Sequence, residues 1–89
     1  MARYEIGSAE LAIMGEKPAG AEILLQLGLD SACGRNGVAD LVAAHKWFNL
    51  AAMKGNREAA RHRQEISREM NREEIAEAQR AAREWLKLH

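Results

Sequence analysis

This 89-residue chain predicts a single all-α domain of about five helices, and three observations carry that prediction. Alanine, leucine, glutamate and arginine are abundant, and all four favour helix. The one proline, Pro18, stands near the N-terminus, so the rest of the chain holds no obligatory helix breaker. Aromatic residues make up 4% of the chain and β-branched residues are sparse, so no segment shows the alternation of a strand.

Each helix has its own start and stop signals. Ser8 caps a short first helix ending near Gly15, and Pro18 suits the first turn of a second, where a missing N–H is tolerated. That second helix runs to about Cys33. Gly34 and Gly37 bracket a loop that calls for positive φ, and Asp40 is placed to cap a third helix ending at Gly55. Asn56 caps the fourth, which ends near Met70. Asn71 and Glu74 have the spacing of a capping box and open a fifth helix reaching about Leu88. On the last two helices Glu58/Arg61, Glu65/Arg68, Glu69/Arg72, Glu77/Arg80 and Glu84/Lys87 fall at i, i+3. Such pairs contribute about 0.2–0.5 kcal/mol each at most, so they describe wet outer faces.

Small residues locate the core. Ala44, Trp47, Phe48, Ala51, Ala52 and Gly55 follow one face of the third helix, and Ala21, Leu24, Leu25, Gly28 and Ala32 one face of the second. A glycine inside a helix costs about 1 kcal/mol against alanine, so Gly28 implies a close helix approach that makes room for the ring of Trp47. Ile75, Ala78, Ala82 and Trp85 share a face of the fifth helix, which would fold back to seal the pair.

In one register the chain carries Leu27-Gly28, Gly34-x-x-Gly37-Val38, Asp40, and Ala44-x-x-Trp47-Phe48-x-x-Ala51-Ala52-x-x-Gly55-Asn56-x-x-Ala59. This pattern resembles the Sel-one-like repeat, a relative of the tetratricopeptide repeat. The resemblance spans residues 21–59 and implies antiparallel helix pairs in a short solenoid, with residues 60–89 as capping helices. Ser31 stands where the family has tyrosine, and Asn36 replaces a loop glycine. Arg63-Gln64 stand where Leu-Gly would recur, so the next repeat gives way to the polar helix that a solenoid end requires. The tail resembles the C-terminal segment of small bacterial single-repeat proteins of this kind.

Several function classes find no support. The 13 Lys and Arg balance 13 Asp and Glu, so no long-range field draws in nucleic acid or anionic lipid. Residues 55–89 hold eight basic and seven acidic side chains interleaved, without the stacking aromatics of a single-strand binder. No run approaches the roughly 20 apolar residues of a membrane span. Glu5, Glu10 and Glu16 interrupt an N-terminus whose longest apolar run is Leu11 to Met14, too short for a signal sequence. The lone Cys33 forms no internal disulfide, and a cytoplasmic chain is expected.

Catalytic and metal chemistry are equally unsupported. His45, His62 and His89 lie on separate elements without metal-ligand spacing and read as surface or helix-end histidines. Cys33 reads as a small buried thiol. The stretch GRNG lacks the Lys-Ser/Thr of a phosphate-binding loop. The expectation is a non-catalytic chain with no metal and no cofactor.

What the resemblance implies is a protein-interaction adaptor or regulator that binds along the first helix of the pair. Core assignment leaves Ile23, Gln26, Asp30 and Cys33 on the second helix, with Leu29 beside them, as a partly apolar stripe. An exposed apolar stripe marks an interface. The competing occupant is the short first helix, with Leu11 and Met14 laid over the stripe. A homodimer is the second reading, because the chain carries little more than one repeat where about three make a stable stack. A small nucleic-acid-binding regulator ranks third.

Overall fold

The computed structural model describes residues 20–35 and 37–88, which form four helices: α1 (Ala21–Cys33), α2 (Leu41–Met53), α3 (Arg57–Ser67) and α4 (Arg72–Leu88). No strand occurs among the described residues. The expected helix from Ser8 to Gly15, together with Pro18, Asn36 and His89, lies outside them.

Local chemistry sets the ends of these helices. α1 stops at Gly34, whose φ of 73° is left-handed and whose N–H returns to the carbonyl of Asp30. A Cβ there would also lie 2.9 Å from the backbone nitrogen of Ala39, so the turn excludes any other residue on two grounds. Gly37 has φ 120°, as the loop required. The Asp40 carboxylate accepts from the Ala43 N–H at 3.0 Å, and Asn56 Oδ1 accepts from the Ala59 N–H at 2.7 Å. Both are N-caps that satisfy a backbone donor left open by the first turn.

α3 ends at Ser67, short of the expected Met70. The N–H groups of Arg68, Glu69 and Met70 instead bond three residues back, at 3.2, 2.9 and 3.2 Å, which tightens the last turn. Met70 is thereby turned inward and buried. The capping box then opens α4 reciprocally. The Asn71 N–H donates to Glu74 Oε1 at 2.9 Å, and the Glu74 N–H donates to Asn71 Oδ1 at 2.8 Å.

α2 is the hub. It packs extensively against α1, α3 and α4, whereas the other three helices meet one another far less. The buried cluster joins Leu24 of α1, Ala44, Phe48, Leu50 and Ala51 of α2, Ala59 of α3 and Ala82 of α4. Leu25, Ala32, Ala52, Ile66, Trp47 and Trp85 pack around it. Most of the expected stripes on α1 and α2 and of the apolar face of α4 therefore form the core; Gly55 instead lies exposed beyond the end of α2 at Met53, and Ala21 and Ile75 are half-buried outside the cluster. Leu50 lies off the expected α2 stripe yet is fully buried, because a helix covered on three sides buries more than one stripe.

Gly28 is a close-approach position, but the ring across it is Phe48. A Cβ at Gly28 would stand 2.5 Å from both Cδ1 and Cε1 of Phe48. Trp47, expected there, is half-buried and meets Trp85 of α4 edge-on, with ring centroids 6.0 Å apart and planes at 82°. Successive helix positions differ by about 100°, so the two adjacent rings serve two different neighbours. The other side of Phe48 stacks on His62 of α3, with centroids at 5.2 Å. Of the five expected i, i+3 ion pairs, Glu84 and Lys87 alone come within 4 Å, at 3.8 Å and well exposed.

Candidate functional site

The stripe expected on the second helix falls on α1, and its residues divide. Ile23 is half-buried, Gln26 exposed, and Leu29 half-buried against the core cluster. Gln26 Nε2 donates to Asp30 Oδ1 at 3.0 Å, and the Arg35 guanidinium donates to the same oxygen at 2.7 Å. The Gln26 hydrogen bond, joined by Arg35, holds the Asp30 carboxyl below its ordinary range against a smaller opposing effect of burial. Gln26, Asp30 and Arg35 thus form a small ordered polar rim.

Cys33 is exposed, which corrects the expected buried thiol. It sits in the last turn of α1, three residues after Asp30, and its Sγ–H donates to the Asp30 carbonyl at 3.6 Å. Leu27 was not part of the expected stripe and is 38% exposed. Its signal in the sequence is the i, i+4 relation to Ile23, which puts both on one line of α1.

A second candidate lies on the other side of α2. A polar groove of about 450 Å³ opens between α2, α3 and α4. His45 and Asn49 contribute from α2, Arg63, Gln64 and Ser67 from α3, and the far wall carries Ile75 and Gln79 of α4. The Arg63 guanidinium donates to Asn49 Oδ1 at 2.6 Å, and the Ser67 hydroxyl donates to the Arg63 carbonyl at 2.8 Å.

His45, expected at a surface or helix end, is only 3% exposed. Its Nδ1 is buried and has no hydrogen-bond partner among the described residues. Burial first, and then the charge of Arg63, lower its pKa below the ordinary histidine value, so the imidazole is neutral at pH 7. The sequence signals for this groove were the i, i+4 pair His45 and Asn49 beside the apolar stripe, and the Arg63-Gln64 departure from Leu-Gly.

Among the described residues no group of three or more His, Cys, Asp or Glu is placed to hold a metal ion. No helix among them is long and apolar enough to cross a membrane. Comparison with protein-family models, with curated proteins and with solved structures finds no match to the chain.

Proposed function

We propose that this chain is a non-catalytic protein-interaction module, an adaptor or regulator, built on helix pairs of the tetratricopeptide type, with a protein partner docking along the outer side of α1. The observation that carries this reading is Leu27, 38% exposed beside half-buried Ile23 and flanked by the Gln26, Asp30 and Arg35 rim. Apolar anchors ringed by ordered polar groups are the anatomy of an interface, because affinity comes from desolvated anchors while the rim orients the partner. The resemblance of residues 21–59 to the Sel-one-like repeat supports the same reading, and two of the positions that carry it, Gly28 and Phe48, meet across α1 and α2. The charged outer faces of α3 and α4 compete poorly, because exposed pairs such as Glu84 and Lys87 are screened by water and salt.

The test uses residues that do not hold the fold. Leu29 packs against the core cluster, so its substitution would disturb α1 itself. Ile23→Asp and Leu27→Asp are expected to abolish co-purification of the native partner with helix content unchanged, and a double charge reversal at Arg80 and Arg83 is expected to leave it intact. Binding lost only on the arginine reversal would move the interface to α4. Self-association through the same face is the second reading, favoured by the same Leu27, 38% exposed beside Ile23, which a second copy would cover. Sedimentation over a range of concentrations separates the two, since only self-association makes the mass rise with concentration and makes Leu27→Asp abolish the rise.

A further inference from the structure

The groove between α2, α3 and α4 plays no part in docking on α1, and its chemistry is of a different kind. Its walls bring one full positive charge, Arg63, and no carboxylate. Arg63 is half-buried, so its guanidinium has lost part of its hydration without gaining a counter-ion among the described residues. One arm is tethered to Asn49 at 2.6 Å, which orients the planar fork and leaves its remaining donors to the groove. The strongest partner for such a fork is a carboxylate, whose two oxygens accept parallel N–H bonds.

His45 supplies a second unsatisfied group. A buried polar nitrogen without a partner is expensive, and a ligand that reaches the imidazole removes that penalty. The ring is neutral, so the groove carries a single positive charge among its lining residues. One positive charge matches a monoanion, whereas a phosphate dianion calls for further cations or a cluster of backbone N–H groups. The amides of Gln64 and Gln79 add donors at the rim, and Ile75 offers one apolar wall to a short aliphatic portion. A volume of about 450 Å³ suits a ligand of small-molecule size.

We infer that this groove is a carboxylate-binding site, with the Arg63 fork, fixed by Asn49, taking the carboxylate, and His45 and Ile75 receiving the rest of the ligand. The same chemistry is offered by a free short-chain acid and by the C-terminal carboxylate of a peptide. Arg63 and Gln64 are the residues that stand where the repeat resemblance expects a further Leu-Gly.

The experiment is an NMR titration of the whole isotope-labelled chain, reading the His45 ring and Arg63 side-chain signals. The probes are butyrate, an N-acetylated apolar dipeptide with a free C-terminus, and the same dipeptide amidated. Butyrate and the free dipeptide are expected to shift these signals saturably, with Kd on the order of 1 mM or tighter. The amidated dipeptide is expected to leave them unmoved, and His45 is expected to protonate more readily in the complex. A peptide at least about tenfold tighter than butyrate identifies a protein terminus as the source, and equal or weaker binding a free acid. Arg63→Gln is expected to weaken binding by at least about tenfold with helix content unchanged. If Arg63→Gln loses helix content, Arg63→Lys carries the test, since it keeps the charge and loses the fork. Linear, unsaturable shifts overturn the proposal, as do equal shifts with the amidated peptide or undiminished binding in the variant that folds.

Discussion

The two long sides of α2 solve the same packing problem in opposite ways. Toward α1 the contact is made by removing atoms. Gly28 brings the α1 backbone so near Phe48 that a single added Cβ would lie 2.5 Å from the ring. Toward α3 Gln64 stands where the repeat resemblance expects a glycine, and the helices stand around a polar groove spanned by the Arg63–Asn49 hydrogen bond. Close packing makes the first interface rigid and intolerant of change. On the groove side packing gives way around Asn49 and Arg63, and His45 Nδ1 is left buried without a hydrogen-bond partner among the described residues.

The sharpest way to break this contrast is to remove the ring that the first interface is built on. Phe48→Ala empties a site that is 1% exposed, and the expected loss is about 3–5 kcal/mol by urea denaturation. A small domain has little more than that to lose, so the variant should be largely unfolded at 37 °C. Gly28→Leu attacks the same contact from the other side and should cost about 1–3 kcal/mol through overpacking. A double-mutant cycle sharpens the point. Gly28→Ala should cost much less when Phe48 is already leucine, because both substitutions act on one contact. Additive losses would mean that Gly28 matters for a reason other than the Phe48 ring.

Next in size is a change that touches neither interface. Asn71→Ala removes one half of the reciprocal box at the start of α4 and should lower stability by about 1 kcal/mol, read as a shift of the urea midpoint at constant slope. This cap was legible in the sequence, as were the Asp40 and Asn56 caps and the positive φ of Gly34 and Gly37. All of these are decided within a few residues of chain, where spacing alone determines which groups can meet. The core stripes on α1 and α2 were legible for the same reason.

What the sequence left open is what depends on a third element. Periodicity placed Trp47 and Phe48 on one stripe but could not assign each ring to a neighbour, because that requires knowing that α4 returns to α2. His45 looked like a surface histidine because its burial comes from α3 and α4 covering α2 on the side away from α1. Cys33 looked buried because the helix around it is apolar, yet it falls on the Asp30 side of the last turn, where nothing covers it among the described residues. The groove could be glimpsed only as a departure, the Arg63-Gln64 pair standing where Leu-Gly was expected.

A weaker lever acts on the groove side alone. His45 has its pKa lowered from the ordinary 6.5 by burial and by Arg63, so the unfolded chain takes up a proton more readily than the folded one. The stability tied to neutral His45 is therefore complete above about pH 6.5 and is lost as the pH falls toward the folded value. Thermal melts should show a downward slope in Tm below pH 6.5, and His45→Gln should flatten it. Asp30, held below its ordinary 3.8, works in the same direction further down, so its loss falls below pH 3.8 and stays separate. A slope between neutrality and pH 5 that persists in His45→Gln would show that another group carries it.

The smallest expected effect is the most telling for the comparison, because it puts the same side chain at the two positions of α1 and α3 that the proposed repeat register would match. Gln64 is exposed at the groove wall, so Gln64→Leu meets no ring and creates no cavity, and its effect should stay within about 0.5 kcal/mol. Gly28→Leu, at the position of α1 that the proposed repeat register would match to it, should cost several times as much. Measured together, the two leucine variants ask whether the register inferred from the repeat pattern or the local packing governs tolerance. If both are costly, α3 closes on α2 in solution as tightly as α1 does, and the groove is too narrow for a ligand. If Gln64→Leu is neutral, the space beside Arg63 is open, and the carboxylate titration has a cavity to read.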